Sequence, residues 1–434
     1  MEMKEIAQRL RDQQKEVSEL LERTDLVSRV QSEQFQEILS SKLIKVIIGI
    51  RRCGKSTLVL QNMKGAKFLY FNFDDEIFAH LEAKDLQMLL EQGLLIHPNV
   101  QQFVFDEIQN VEGWELFINR LKRRGYQITV TGSNSRLLSQ ELSTHLTGRH
   151  LTIELFPFSF EEYLVYRKIL PESSKIQAGT TEEIASVKKA LLEYIEQGGF
   201  PEILDFPLSS RAAMNYLKEL YDRIVSRDII QRKRIKNSRA LREVSLILMS
   251  GYSSKFTYQS LKKQSSIQSV NTIKNYVDLL QMAYIGFVVE PFSFKVKERI
   301  SLPKKFYLID TSFADVLLGK TSSDMGKKLE NIVFLQLRRQ GLEIYYLHQP
   351  QYEVDFVIRQ GRTITELYQV AWSIQNPETR QREVKALVKA AKQFPKAKLF
   401  LLTFEEQELI QQDGVEIQVY PVWKWLLQKP LVDR

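Results

Sequence analysis

The string GIRRCGKST, Gly49 to Thr57, constrains this chain more than any other stretch. It follows an apolar run, Leu43 to Ile48, and leads into the helix-compatible TLVLQNM. Gly49, Gly54, Lys55 and Ser56 stand at the spacing G-x-x-x-x-G-K-[ST]. Glycines let the backbone curl until its N–H groups face an anion, and the helix that follows adds the positive end of its dipole. In such a loop the lysine reaches the outer phosphates of a nucleoside triphosphate and the hydroxyl ligates Mg²⁺. The expectation is a phosphate loop between a buried strand and a helix, with Gly49, Arg51, Arg52, Gly54, Lys55, Ser56 and Thr57 around ATP. Cys53 reads as a spacer in that turn.

A phosphate loop needs an acidic strand beside it, and QQFVFDEIQN supplies one. Phe103 to Phe105 read as a short buried strand that ends in Asp106 and Glu107. Asp106 can hold magnesium through water, and Glu107 can polarise an attacking water. A third strand, in YQITVTGSNS, ends at Ser133 and Asn134, where a polar side chain would orient the water or the terminal phosphate. Neighbouring parallel strands present their C-terminal ends to a ligand, which favours that role over a simple turn. Arg149, in LTGRH, precedes a further strand, Leu151 to Leu155. In an oligomer it would reach a neighbour's phosphate and supply positive charge there.

GIRRCGKST, FNFDD, FVFDEIQNVEGWE, TGSNSRLLS, LTGR and LFPFSFEEY occur in this order, followed by GGFPE (Gly198 to Glu202) and YLKELYDRIVSRDI (Tyr216 to Ile229). The series resembles the bacterial and archaeal AAA-type ATPases whose ATPase module is joined to a C-terminal domain of unknown function. The resemblance implies an α/β fold: an ASCE P-loop parallel sheet with a helical lid, then a winged-helix segment and a domain like the PD-(D/E)xK nucleases. It implies ATP and Mg²⁺ as cofactors, Ser56 and Asp106 at the metal, and Glu107, Lys55, Arg149 and Asn134 in catalysis. It also implies a hexameric ring and a lid arginine, with Arg223 and Arg227 as the candidates. The corresponding divisions are an N-terminal helical extension at 1–24, an ATPase core at 25–156, a lid at 157–239, a winged helix at 240–305 and a nuclease-like domain at 306–434.

The middle of the chain reads independently as helical from 156 to 235. QRKRIKNSR, Gln231 to Arg239, has five basic residues and no acid, as a solvated linker or a phosphate-contacting stripe. ALREVSLILMS, FTYQSLKKQ and SVNTIKNYVDLLQMAYI read as three helices, followed by two strands with a basic turn between them. If the third helix enters a DNA groove, Gln268, Ser269, Asn271, Thr272, Lys274 and Asn275 face bases. Lys262, Lys263, Lys295, Lys297 and Arg299 then lie near phosphates. The same fold also serves as a protein-binding or lid module.

Farther on, Glu330 lies on an amphipathic helix, and Asp355 and Gln369 lie on strands, matching three positions of the PD-(D/E)xK pattern. Such a site gathers its acids around Mg²⁺ and uses the lysine to place water. The lysine position holds Ala371, so the expected site is vestigial, a scaffold that grips DNA without cutting it or stabilises an oligomer. His348 has no partner at ligand spacing and reads as a satisfied structural histidine.

Composition bounds the partners. The 434 residues carry 61 Lys and Arg against 53 Asp and Glu, a net +8 that permits DNA, duplex or branched, without requiring it. A single cysteine fits a reducing, cytoplasmic setting; the first residues are charged throughout, unlike a secretory signal, and no membrane span is expected. Three activities remain: an ATP-driven remodeller of DNA, a nucleotide-dependent oligomerising switch on protein partners, and an ATP-coupled nuclease.

Overall fold

Strand β1 (Ile44–Gly49) is buried at all six positions, as the run IKVIIG requires of a strand covered on both faces. It lies between β4 (Gln127–Gly132) and β5 (His150–Leu155), with β3 (Gln102–Asp106) and then β2 (Phe68–Asn72) beyond β4. All four pairings are parallel, which gives the order β2-β3-β4-β1-β5. The computed structural model describes residues 3–79, 81–133, 148–170, 180–319 and 325–428. The chain divides into two compact units, residues 1–157 with 282–284 and residues 158–281 with 285–434.

In the first unit the sheet edge at β2 is covered by α1 (Met3–Glu22). Two consecutive glutamines make the cover. Gln14 donates to the Tyr70 carbonyl at 2.8 Å and accepts from the Tyr70 N–H at 3.2 Å. Gln13 does the same with Asn72, at 3.2 and 3.1 Å. An open strand edge is a template for pairing with other chains, and here two side-chain amides satisfy it. Arg9 adds an ion pair to Asp75, just past β2.

The second unit begins with helices whose starts are legible. Ser159 with Glu162 and Thr180 with Glu183 form capping boxes on helices Phe160–Tyr166 and Thr181–Gln197. Helix Arg211–Arg223 continues in π-helical geometry over Ile224–Gln231. Helices Ser238–Ser250, Tyr258–Gln264 and Val270–Met282 follow. Strands β6 (Lys255–Phe256), β7 (Gly286–Val289) and β8 (Lys304–Leu308) form an antiparallel sheet in the order β6-β8-β7. The segment between β7 and β8 differs from a plain basic turn, because Val296–Ser301 forms a short helix.

Helix Met325–Arg339 precedes a six-stranded sheet built from β9 (Glu343–Gln349), β10 (Tyr352–Gln360), β11 (Thr363–Val370), β12 (Lys398–Thr403), β13 (Glu408–Gln412) and β14 (Val415–Pro421). Its order is β13-β14-β12-β11-β10-β9. Helix Pro377–Gln393 makes the crossover between the parallel strands β11 and β12, and its buried face includes Val384, Leu387 and Val388. No helix among the described residues is long and apolar enough to cross a membrane.

Candidate active site

The turn that leaves β1 is shaped by two glycines. Gly49 has φ +156°, and a Cβ there would stand 2.1 Å from the Leu155 carbonyl oxygen. Gly54 is left-handed at φ +93° and caps the helix Lys55–Asn62. Arg29 braces this turn from outside the motif, donating to the Cys53 carbonyl at 2.6 Å and the Phe156 carbonyl at 2.7 Å. No sequence pattern singles out Arg29, since its partners are carbonyls 24 and 127 residues away.

Inside the turn, Lys55 is buried and its ammonium lies 3.2 Å from the Glu107 carboxylate and 3.2 Å from the Ile50 carbonyl. Glu107 itself sits in left-handed backbone, φ 53°, where a non-glycine residue is uncommon. Its N–H donates to Thr131 Oγ1 at 3.1 Å, and its carboxylate accepts from Gln109 at 2.5 Å. Burial works to raise the Glu107 carboxyl, but Lys55 and Arg51 outweigh it and bring it down to about 2. Arg51 is buried and pairs with Asp74 at 3.4 Å, whereas Arg52 is exposed and Thr57 half-buried.

Asp106 is the hub of three hydroxyls. Ser56 Oγ donates to Asp106 Oδ2 at 2.6 Å, the Tyr70 hydroxyl donates to the same oxygen at 2.5 Å, and Thr131 bonds Oδ1. Burial and the neighbouring Glu107 charge raise its carboxyl above the ordinary value. Tyr70 and Thr131 lie outside the motifs. Thr131 is traceable, since it sits on the strand next to β3, two residues before Ser133. The adjacent Ser56 hydroxyl and Asp106 carboxylate are a donor set suited to Mg²⁺, a hard cation that favours oxygen.

Ser133 is buried at the end of β4, and its hydroxyl has no hydrogen-bond partner among the described residues. Asn134 lies outside the described residues. Arg149 is exposed just before β5, with Nη1 3.4 Å from Asn119 Oδ1. Because His150 pairs with Ile44 and Leu155 with Gly49, Arg149 stands at the opposite end of the sheet from its own phosphate loop. Strand rise puts that separation at about 20 Å.

In the second unit, Arg223 and Arg227 are exposed on the helix that follows Arg211. Gln268, Ser269, Asn271, Lys274 and Asn275 are exposed at the start of helix Val270–Met282, while Thr272 is half-buried. Ser269 caps that helix through the Thr272 N–H at 3.4 Å. Lys262 is half-buried and Lys263 exposed on the preceding helix. Lys274 lies over the Tyr258 ring. Lys295 and Lys297 are exposed, Arg299 is half-buried, and Phe294, Val296 and Ile300 are 75%, 58% and 65% exposed among them.

The C-terminal acids lie together, with a lysine that the motif does not predict. Lys305, on β8, contacts both Glu330 and Asp355. Gln369 accepts from the Asp355 N–H at 3.2 Å and donates to Glu383. Ala371 is buried. His348 departs from a satisfied histidine: its buried Nδ1 has no hydrogen-bond partner among the described residues.

A parallel sheet that presents a phosphate loop and an acidic strand end side by side defines a P-loop ATPase of the AAA type. The AAA_14 family, described as an AAA domain, matches residues 41–164, and a domain of unknown function, DUF8612, matches residues 188–324. An uncharacterized protein of Methanocaldococcus jannaschii is 36% identical over 401 residues, covering 88% of this chain and 88% of that one. An uncharacterized protein of Haemophilus influenzae is 30% identical over 412 residues, covering 91% and 97%. The chain belongs to the family of AAA-type ATPases that includes these two proteins. Among solved structures it is similar to the Walker-type ATPase of Pyrococcus abyssi, with TM-score 0.44, 16% identity, and 68% of this chain and 97% of that chain covered. It is also similar to the Thermotoga maritima RuvB Holliday junction branch migration motor, with TM-score 0.30, 14% identity, and coverage of 62% and 93%.

Proposed function

We propose that this ATPase works as an oligomer on DNA, and that its hydrolytic base is released only when nucleotide arrives. The observation that carries the catalytic part is the Lys55–Glu107 pair at 3.2 Å beside the Ser56–Asp106 contact. With Lys55 against it, Glu107 is a weak base, its carboxyl held at about 2. The phosphates of ATP compete for Lys55, and the N–H groups of the Gly49–Thr57 loop cradle them. Glu107, freed of that charge, becomes a stronger base and accepts a proton from the water that attacks the terminal phosphorus. Ser56 and Asp106 hold Mg²⁺, which neutralises charge on the phosphates when bound. Arg51, tied to Asp74, remains to keep Glu107 ionised, Ser133 or Asn134 orients the water or terminal phosphate, and Arg223 or Arg227 serves as the lid arginine.

Arg149 is too far from its own loop to help there, which supports a role at a neighbour's site in a ring, taken here as a hexamer. Residues 240–305 act as a winged helix on DNA, supported by the exposed polar start of helix Val270–Met282 and by Lys295 and Lys297. The C-terminal sheet with Glu330, Asp355 and Gln369 is assigned to the PD-(D/E)xK-like class, gripping DNA without cutting it. The exposed Phe294, Val296 and Ile300 favour a second reading, in which this segment docks a protein.

Phosphate release measured with and without duplex, single-stranded and four-way DNA tests the proposal, alongside mass with nucleotide bound. Stimulation by DNA, with affinity that falls steeply as salt rises, is the expected result. Absence of DNA binding at low salt moves the assignment to the protein-docking reading. Mixing Arg149→Ala with Lys55→Ala chains tests the ring: each is inactive alone, and partial recovery on mixing is expected.

A further inference from the structure

A second buried ammonium lies in the C-terminal unit, among three carboxylates. Lys305 Nζ is 3.0 Å from Glu330 Oε1, 2.8 Å from Glu353 Oε1 and 2.9 Å from Asp355 Oδ1. An ammonium has three N–H donors, so each is matched by one acid. The Tyr307 hydroxyl donates to the same Glu330 Oε1 at 2.6 Å. The second oxygens of the other two acids are also engaged: the Val370 N–H donates to Asp355 Oδ2 at 3.0 Å, and Lys255 pairs with Glu353 Oε2 at 2.7 Å. The cluster forms the floor of a cleft of about 970 Å³.

Gathering three carboxylates away from bulk water is unfavourable unless positive charge sits between them. A divalent cation provides it by binding carboxylate oxygens directly at about 2.0–2.6 Å. Here the point that the three acids share is held by nitrogen, and among the described residues no group of three or more acids, histidines or cysteines is arranged to hold a metal ion. The lysine arrives from a separate element. Strand alternation sends Lys304 to the opposite face, toward the Arg299 carbonyl, and Lys305 into the cluster.

We infer that Lys305 is a built-in cation that takes the place of a divalent metal ion among Glu330, Glu353 and Asp355, so that the floor of the cleft needs no metal ion. The side chain is 3% exposed, so water does not compete for the ammonium. Removing the charge while keeping the stem leaves three acids around a space an ion can enter. The inference therefore predicts that one substitution converts the cluster into a divalent-cation site.

The test counts Mn²⁺ bound to the full chain by electron paramagnetic resonance, without nucleotide, against Asp355→Asn as the blank. Wild type is expected to bind no Mn²⁺ beyond that blank. Lys305→Met is expected to gain one ion per chain and to lose it again as Lys305→Met/Asp355→Asn. A wild-type ion that disappears in Asp355→Asn overturns the inference, as does a folded Lys305→Met chain that gains none. Should Lys305→Met be unfolded in EDTA, recovery of its melting transition in millimolar Mn²⁺ supports the inference, and failure to recover overturns it.

Discussion

Lys55 has one carboxylate partner, Glu107, and one carbonyl, each at 3.2 Å, whereas Lys305 has three carboxylates within 3.0 Å. Burial does not separate the two, since the side chains are 5% and 3% exposed. The number of charged acceptors does. A lysine with a single acid is held by an interaction that an incoming phosphate can match. A lysine whose three donors are all spent on acids cannot leave without abandoning a cluster of negative charge. The same residue type is thus an exchangeable contact at the start of the helix after β1 and a fixed one at the start of β8.

The contrast breaks most visibly in turnover. Glu107→Gln should lower phosphate release by about 10²–10⁴-fold while ATP still binds, because only proton acceptance is lost. Lys55→Ala should abolish measurable turnover and weaken nucleotide binding as well. Single-turnover phosphate release with a parallel binding titration separates the two, and unchanged turnover in either variant removes that residue from the chemistry.

The second effect falls on stability. Lys305→Met leaves buried acids without their counter-charge and should cost about 3–5 kcal/mol in denaturant melts performed in EDTA. The ATPase rate per folded chain should hold at the wild-type value. A loss below about 1 kcal/mol would place Lys305 among the ordinary exposed ion pairs.

A smaller effect asks whether the exchangeable centre depends on its frame. Gln13→Leu/Gln14→Leu removes the side-chain bonds to Tyr70 and Asn72 and opens the edge at β2. A loss of about 2 kcal/mol is expected, with self-association detectable by sedimentation. Retention of both stability and the monomer–oligomer profile would show that α1 only rests on the sheet.

The last contrast is in the pH dependence of stability, where the two centres should act in opposite directions. Glu107 is depressed from 4.5 to about 2, so its contribution is present above 4.5 and lost as the pH falls through 2. Burial and the Asp355 charge push the Glu330 carboxyl above its ordinary value against the opposing pull of Lys305, so its contribution is present at acid pH and lost as the pH rises. Stability against pH for Glu107→Gln and Glu330→Gln, each beside wild type, checks both signs.

Much of the ATPase unit is readable along the chain. The phosphate loop is contiguous, the acid pair ends an apolar run, and both sit at strand ends that a parallel sheet brings together. Arg29 and Tyr70 are not readable in that way, because their partners are a carbonyl and an acid brought near by the sheet. In the second unit the helices and strands follow their periodicity, but the helix Val296–Ser301 replaces an expected turn. Its exposed Val296 and Ile300 give no amphipathic signal against a core.

The order of residues alone dictates that a triphosphate-binding turn follows a buried strand, since the glycines, the lysine and the hydroxyl act over nine consecutive residues. It also placed Glu330, Asp355 and Gln369 on a helix and two strands, and it put alanine where a lysine was expected. What neutralises those acids emerges in the folded chain. Lys305 is 25 residues from Glu330 and 50 from Asp355, yet within 3.0 Å of both. Electrostatic interaction depends on distance and burial in space, so a charge missing from one strand can be supplied by another.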